Sequence, residues 1–319
     1  MILIISNRTD LTTDFVIRKL HKLGKEYFRF NTDEFPQNAK GIFSVSNYEN
    51  VKAKIQLIDR NKGVDFGSVK SVLYRRPVPP VISNAITDAS ALKYAQHESY
   101  EFIRGLWYSS DAFWVSDPES IFRAEHKIVQ LKKAKSIGFL LPKTLITNDP
   151  FEVTKFFENS KQDIVIKSIH SGFYESSNPG FIFTSLITRE DLDDIESLSL
   201  CPSIFQERIK KKADIRCTIV GDKIFAVKIT IESNYIDWRE SPLENIKYIK
   251  FQLTSELEQK CIELLRQLNL NFGTIDFVQD FKGDLYFLEI NPNGQWAWLE
   301  EELNLSISDE IARLLCKNE

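Results

Sequence analysis

The stretch that most restricts how this chain can fold is 273–299, GTIDFVQDFKGDLYFLEINPNGQWAWL. Ile275, Phe277 and Val278 mark one strand, Lys282-Gly283-Asp284 a turn, and Leu285 to Leu288 the return strand of a hairpin. Asp276 lies on the first strand. Glu289 and Asn291 close the second, two apart, so their side chains share a face. Two carboxylates and an amide converging from paired strands offer only hard oxygen donors. That set suits Mg²⁺, whereas Zn²⁺ prefers nitrogen and sulfur. Pro292 fixes the chain as it leaves the strand and Asn293-Gly294 turns it. The competing reading is a surface hairpin carrying ordinary solvated acids.

Before the hairpin, the chain opens as an α/β unit. MILIIS reads as a buried strand, 12–23 as a helix ending at Gly24, and Tyr27-Phe28-Arg29-Phe30 as a second strand, which implies a parallel pair. Strands are expected at 41–47, 54–59 and 69–74, and a long amphipathic helix at 89–110. No GxGxxG follows the first strand, so a dinucleotide site there is not expected. In Tyr74-Arg75-Arg76-Pro77, two arginines stand at a strand end, where open α/β sheets face their ligands. They either fork an anion or form a solvated pair beside a turn.

The middle of the chain predicts a helix over 119–137 with Lys127 in its middle and Gly138 ending it. Ile164-Val165-Ile166-Lys167 is a strand ending in a lysine that can reach a phosphate. The loop 168–180 is rich in serine. It either folds over phosphates or is an ordinary hairpin loop, and it is not a P-loop. After a strand at 181–184, a strand over 203–209 is expected to stop at Lys210-Lys211-Lys212. A hairpin turning at Gly221-Asp222 follows, with Asp214 and Arg216 at its start. Gln206 to Ile209 can line a purine and Asp214 can hold ribose hydroxyls.

Net charge is −4 with mixed signs, which argues against nucleic acid as a partner. The four cysteines are scattered without a CxxC pair, the apolar start lacks a signal-peptide lead, and no run is long enough to span a membrane. A cytoplasmic enzyme with reduced thiols is the expectation.

Lys127, Ile166-Lys167, Gln206-Glu207-x-Ile209, Asp214-x-Arg216, Gly273-x-x-Asp276-Phe277 and Glu289-Ile290-Asn291-Pro292-Asn293 occur in the order found in ATP-grasp carboxylate–amine ligases, which the chain resembles. Within them it looks most like the graspetide synthetases, which close side-chain ester or amide rings in ribosomal peptides. That similarity includes Tyr74-Arg75-Arg76-Pro77, Leu106-Trp107-Tyr108, Asp237-Trp238-Arg239 and Asn293-Gly294-Gln295-Trp296. The resemblance implies an α/β ATP-grasp fold in three parts: a pre-ATP-grasp α/β domain at 1–116, a central subdomain at 117–202 and a C-terminal subdomain at 203–319. It also implies ATP and Mg²⁺ as cofactors. Lys127 and Lys167 would contact phosphates, Glu207, Arg208 and Ile209 would line adenine, and Asp214 would hold ribose. Asp276, Glu289 and Asn291 would hold two Mg²⁺ ions, with Glu289 bridging. Arg216 and Arg239, with Lys167, would steady the transferring phosphoryl group. The implied partner is a precursor peptide with a leader and an acidic core, bound at the first domain and the 210–212 rim, and the helix at 89–110 could pair two chains. The rival readings are an amino-acid or tail-glutamylating ligase, a small-molecule kinase and a non-catalytic nucleotide-binding partner.

Overall fold

The computed structural model describes residues 1–170, 173–174, 180–232 and 235–317. Its first part is a parallel sheet with strand order Tyr27–Asn31, Ile2–Ser6, Ser71–Tyr74, Phe113–Val115. Every residue of Ile2–Ser6 is buried. A central parallel strand is covered on both faces, which is why its sequence is apolar throughout. The helix Leu11–Lys22 is capped by Asp10, whose carboxylate accepts from the Thr12 amide, and the chain reverses at Gly24 with φ +65°. Beside this sheet lies an antiparallel meander, Ala39–Ser44, Lys52–Leu57 and Lys62–Asp65. It packs on the helix Ala89–Tyr108 so closely that a Cβ at Gly41 would sit 2.2 Å from a Phe102 ring carbon.

The central part is an antiparallel sheet ordered Ser185–Ile187, Ile164–Lys167, Ser203–Glu207, Thr144–Thr147. Val153 and Phe157 of the helix Pro150–Asn159 pack on its Ile164 and Phe205. The last part is a five-stranded antiparallel sheet ordered Ile246–Phe251, Lys223–Ile231, Lys211–Val220, Phe272–Asp280, Leu285–Asn291. One apolar cluster joins the first part to the last, running from Leu3 and Phe30 through Trp107 to Ile215, Phe277 and Ile290. Among the described residues no helix is long and apolar enough to cross a membrane.

Four expectations are corrected. The helix expected over 119–137 is two helices, Pro118–Glu125 and Lys127–Ile137, separated by His126 in an extended conformation (φ −72°, ψ 112°). The break frees backbone groups, and the buried Gln130 amide satisfies one of them. Its Nε2 donates to the Ala124 carbonyl (2.6 Å) and to the Ile290 carbonyl (2.8 Å), while its Oε1 accepts from the Ile290 amide (3.0 Å). Lys127 therefore opens a helix instead of sitting within one. The strand expected at 181–184 is only Gly180–Phe181, and pairing resumes at Ser185–Ile187. Lys211 and Lys212 do not stop a strand but begin Lys211–Val220, so Asp214 and Arg216 lie inside it. Finally, Lys62–Asp65 and Pro150–Asn159 are elements that were not expected.

Candidate active site

Three neighbouring strands bring one row of side chains together. Arg216 pairs across to Asp276, and Asp276 pairs across to Glu289. Strict alternation would put Phe287 on the same face as Glu289. A bulge prevents this: Asp276 faces Glu289 but Phe277 faces Phe287, so Leu288 is the extra residue. Phe287 thereby enters the core against Phe277 (ring centroids 6.1 Å apart), and Glu289 turns to the cavity.

The polar contacts in the row are short. Arg216 Nη1 donates to both Asp276 oxygens at 2.8 and 3.0 Å. Asn291 Nδ2 donates to Asp276 Oδ2 at 3.0 Å and to Glu289 Oε1 at 2.9 Å. Lys127 Nζ meets Glu289 Oε2 at 2.6 Å. Burial pushes both acids up. At Glu289 the nearby Lys127 overrides burial and holds the carboxyl at about 2. At Asp276 burial prevails over Arg216, and the carboxyl stays above its ordinary value. Lys167 is displaced the other way: burial lowers its ammonium and Glu289 only partly restores it. Its Nζ donates to Gln206 Oε1 at 2.7 Å, and the Gln206 amide is itself anchored to Thr144 Oγ1.

All the candidate residues (Lys127, Lys167, Glu207, Arg208, Ile209, Asp214, Arg216, Arg239, Asp276, Glu289 and Asn291) line one cavity of about 1230 Å³ between the three parts. Some are already engaged. Asp214 holds Lys211 at 2.6 Å, Arg208 is held by Asp163 at 2.6 Å, and Arg239 is forked onto Asp237, with its guanidinium 5.9 Å from the Phe183 ring centroid. The expectation of a closing loop at 168–180 falls mostly outside the described residues, although His170 lines the cavity.

Arg75 departs from both readings of its motif. It is 4% exposed and reaches no solvent-facing anion. Its Nη1 donates to the carbonyls of Asn293 and Gly294, both at 2.9 Å, and its Nη2 to Gln295 Oε1 at 2.7 Å. The Gln295 carbonyl in turn accepts from Arg216 Nη2 at 3.1 Å. Gly294 is required here, since a Cβ would lie 2.5 Å from Thr274 Oγ1. Replacing Arg75 by methionine would leave three acceptors unpaired and strip Asp10 of its neighbouring cation, 3.7 Å away. The expected cost is about 3–5 kcal/mol, read as a lower urea midpoint. A midpoint equal to wild type would mean that water replaces the guanidinium. Arg76, by contrast, is exposed on the cavity wall with φ +47°. Gln130 and Gln206 were likewise missed. The one signal in the sequence was a polar side chain at an otherwise apolar position.

Residues 1–122 match the family model of the MvdD pre-ATP grasp domain, and residues 124–315 that of the RimK-like ATP-grasp domain. The macrocyclase MdnC of Microcystis aeruginosa MRC, solved with the precursor peptide MdnA, is 30% identical with a TM-score of 0.87, over 98% of each chain. A RiPP-associated ATP-grasp ligase of Chryseobacterium gregarium, solved with ADP and a leader and core peptide, is 30% identical with a TM-score of 0.92, over 100% of this chain and 97% of that one. A probable alpha-L-glutamate ligase of Histophilus somni (strain 2336) is 20% identical over 208 residues, 63% of this chain. That match spans 66% of the ligase's length, just under two thirds.

Proposed function

The chain belongs to the ATP-grasp ligases that carry an MvdD pre-ATP grasp domain, the graspetide branch, and from that premise we propose that it closes side-chain rings in a ribosomal precursor peptide. A Glu or Asp side chain of the peptide attacks the γ-phosphate of ATP and gives an acyl phosphate and ADP. A Ser/Thr hydroxyl or Lys amine of the same peptide then attacks the acyl carbon and expels phosphate.

The observation that carries this reading is the row Arg216, Asp276, Glu289, with Lys127 and Lys167 beside it, in a cavity whose far wall is built by Asn7, Arg76 and Val78 of the first part. Small-ligand pockets span about 300–1,000 Å³, so 1230 Å³ leaves space for a nucleotide and a peptide segment together. Lys127 and Lys167 bind phosphates. Asp214 takes the ribose, and the backbone of 207–209 with the Ile209 side chain takes the base, Arg208 being held by Asp163. Arg216 and Arg239 face the transferring group. Both partners in the first step are anions, so most of the catalysis is charge neutralisation and positioning.

The donor chemistry fits Mg²⁺. Among the described residues no three His, Cys, Asp or Glu gather, but Asp276, Glu289 and Asn291 converge as two carboxylates bridged by an amide. Turned over, that amide offers oxygen in place of nitrogen. When bound, Mg²⁺ would offset triphosphate charge beside these three side chains. Water must be kept from the acyl phosphate, and binding both ends of one peptide favours closure over hydrolysis by about 7–11 kcal/mol at best.

The test is incubation with ATP, Mg²⁺ and the short Thr/Ser/Lys- and Asp/Glu-rich peptide encoded beside the gene, followed by mass spectrometry. The expected product has lost one water per ring, with one ADP and one phosphate released for each. The similarity to an alpha-L-glutamate ligase favours a second reading, amino-acid addition, which would raise the peptide's mass instead.

A further inference from the structure

The break at His126 has a geometric effect on the cavity. On a continuous helix, residues two apart point about 200° away from each other, so Glu125 and Lys127 would face opposite sides. In this structure both line the same cavity, Glu125 with Ile121 and Phe122 of the first helix, Lys127 with Gln130 of the second. Lys127 is committed to Glu289. Glu125 has no hydrogen bond or ion pair to any other described residue.

That isolation sets it apart from the other acids of the wall. Asp214, Asp237, Asp276 and Glu289 each sit in an ion pair of 2.5–2.8 Å. Glu207 belongs to the segment read as the base-binding edge. Glu125 is also the last residue of its helix, at the negative end of the helix dipole, where a carboxylate is disfavoured. Fold stability gives no reason for a half-buried, unpaired acid there. A reaction that needs a proton acceptor does.

We propose that Glu125 is the general base of the ring-closing step. The proposal rests on the acyl-phosphate reading above. As the hydroxyl or amine forms its bond to the acyl carbon, its proton passes to the Glu125 carboxylate. The bond between the acyl carbon and the phosphate oxygen breaks, and phosphate leaves with the electron pair. Four charged or titratable groups face Glu125: His170 from the loop after Lys167, His126 at the break, Lys127 from the following helix, and Arg76 from the strand end. Burial outweighs all four and raises the carboxyl above its ordinary value. A raised carboxylate is a better proton acceptor at neutral pH than Glu289, which is held at about 2. The proposal separates two groups of acids: those paired with cations serve the nucleotide, and the unpaired one serves the nucleophile.

The experiment compares wild type with Glu125→Gln, using ATP, Mg²⁺ and the gene-adjacent peptide, with and without hydroxylamine. Neutral hydroxylamine traps an acyl phosphate as a hydroxamate without needing a base, so it reads the first step and reports a folded site. For Glu125→Gln, hydroxamate yield should fall no more than several-fold, while closure slows by about 10²–10⁴-fold. Closure by wild type should decline toward acid as Glu125 takes up its proton, and the variant's residual closure should lack that limb. Glu125→Asp should recover part of the rate. Closure by Glu125→Gln near the wild-type rate overturns the proposal, as does an equal fall in hydroxamate and closure. Closure by wild type that yields no hydroxamate overturns the acyl-phosphate reading itself, and Glu125's role with it.

Discussion

Glu289→Gln lowers ATP turnover by about 10³-fold while the fold persists. The side chain is nearly isosteric, and its remaining oxygen can still accept from Asn291 Nδ2, 2.9 Å away in the native protein. What is lost is a full negative charge at the centre of the row. Lys127 then faces an amide in place of a carboxylate, with its side chain only 12% exposed. Leaving that cation without a partner costs about 1–3 kcal/mol, so the variant should melt below wild type. Adding Lys127→Met should restore part of the loss, because removing both members of a buried pair is gentler than removing one. ADP release and thermal melts of the two variants check both statements. ATP use near the wild-type rate by Glu289→Gln would remove Glu289 from the metal set.

The second large effect has the opposite sign for stability. Lys167 ends the strand Ile164–Lys167 and has an amide, not a carboxylate, as its hydrogen-bond partner. Burial lowers its ammonium, and Glu289 opposes that shift only in part. The free protein therefore bears the cost of a cation held ready for an anion. Lys167→Met should reduce kcat/KM for ATP by about 10²–10³-fold and abolish most of the melting-point gain produced by ADP. The same variant without nucleotide should be at least as stable as wild type. The sign follows from linkage. A lysine with a depressed value in the fold destabilises fully below that value, and the cost disappears above its ordinary value. The variant's advantage should therefore be largest at neutral and acidic pH. Nucleotide titration and melts at two pH values measure this, and wild-type affinity for ATP in Lys167→Met would contradict the phosphate role.

The parts of this site that were legible in the sequence are those encoded locally. Asp276, Glu289 and Asn291 could be placed on one face because strand alternation fixes them, and the strand pairing agrees. Ile164-Val165-Ile166-Lys167 read as a strand ending in a cation because its apolar run is continuous. The illegible parts depend on partners far along the chain. Nothing near His126 announces a helix break; the clasp that stabilises it joins Gln130 to Ile290. Arg75 looks solvent-facing until the loop from Asn293 to Gln295 is folded against it. The strand Lys62–Asp65 carries a single buried valine and so has little alternation to read. The helix Pro150–Asn159 is different. Asp149 caps it, Pro150 occupies its first position and Val153 and Phe157 are four apart, so its signal was present locally.

Arg75 links a strand of the parallel sheet to the turn that follows Asn291, and Gln295 passes the connection on to Arg216. Chimaeras that borrow the front third of a relative to redirect peptide choice would set a foreign guanidinium against this turn. The graft has to carry Arg75 and residues 293–295 as a matched set. Exchanged piecemeal, such hybrids would lose turnover before any change in selectivity could be seen.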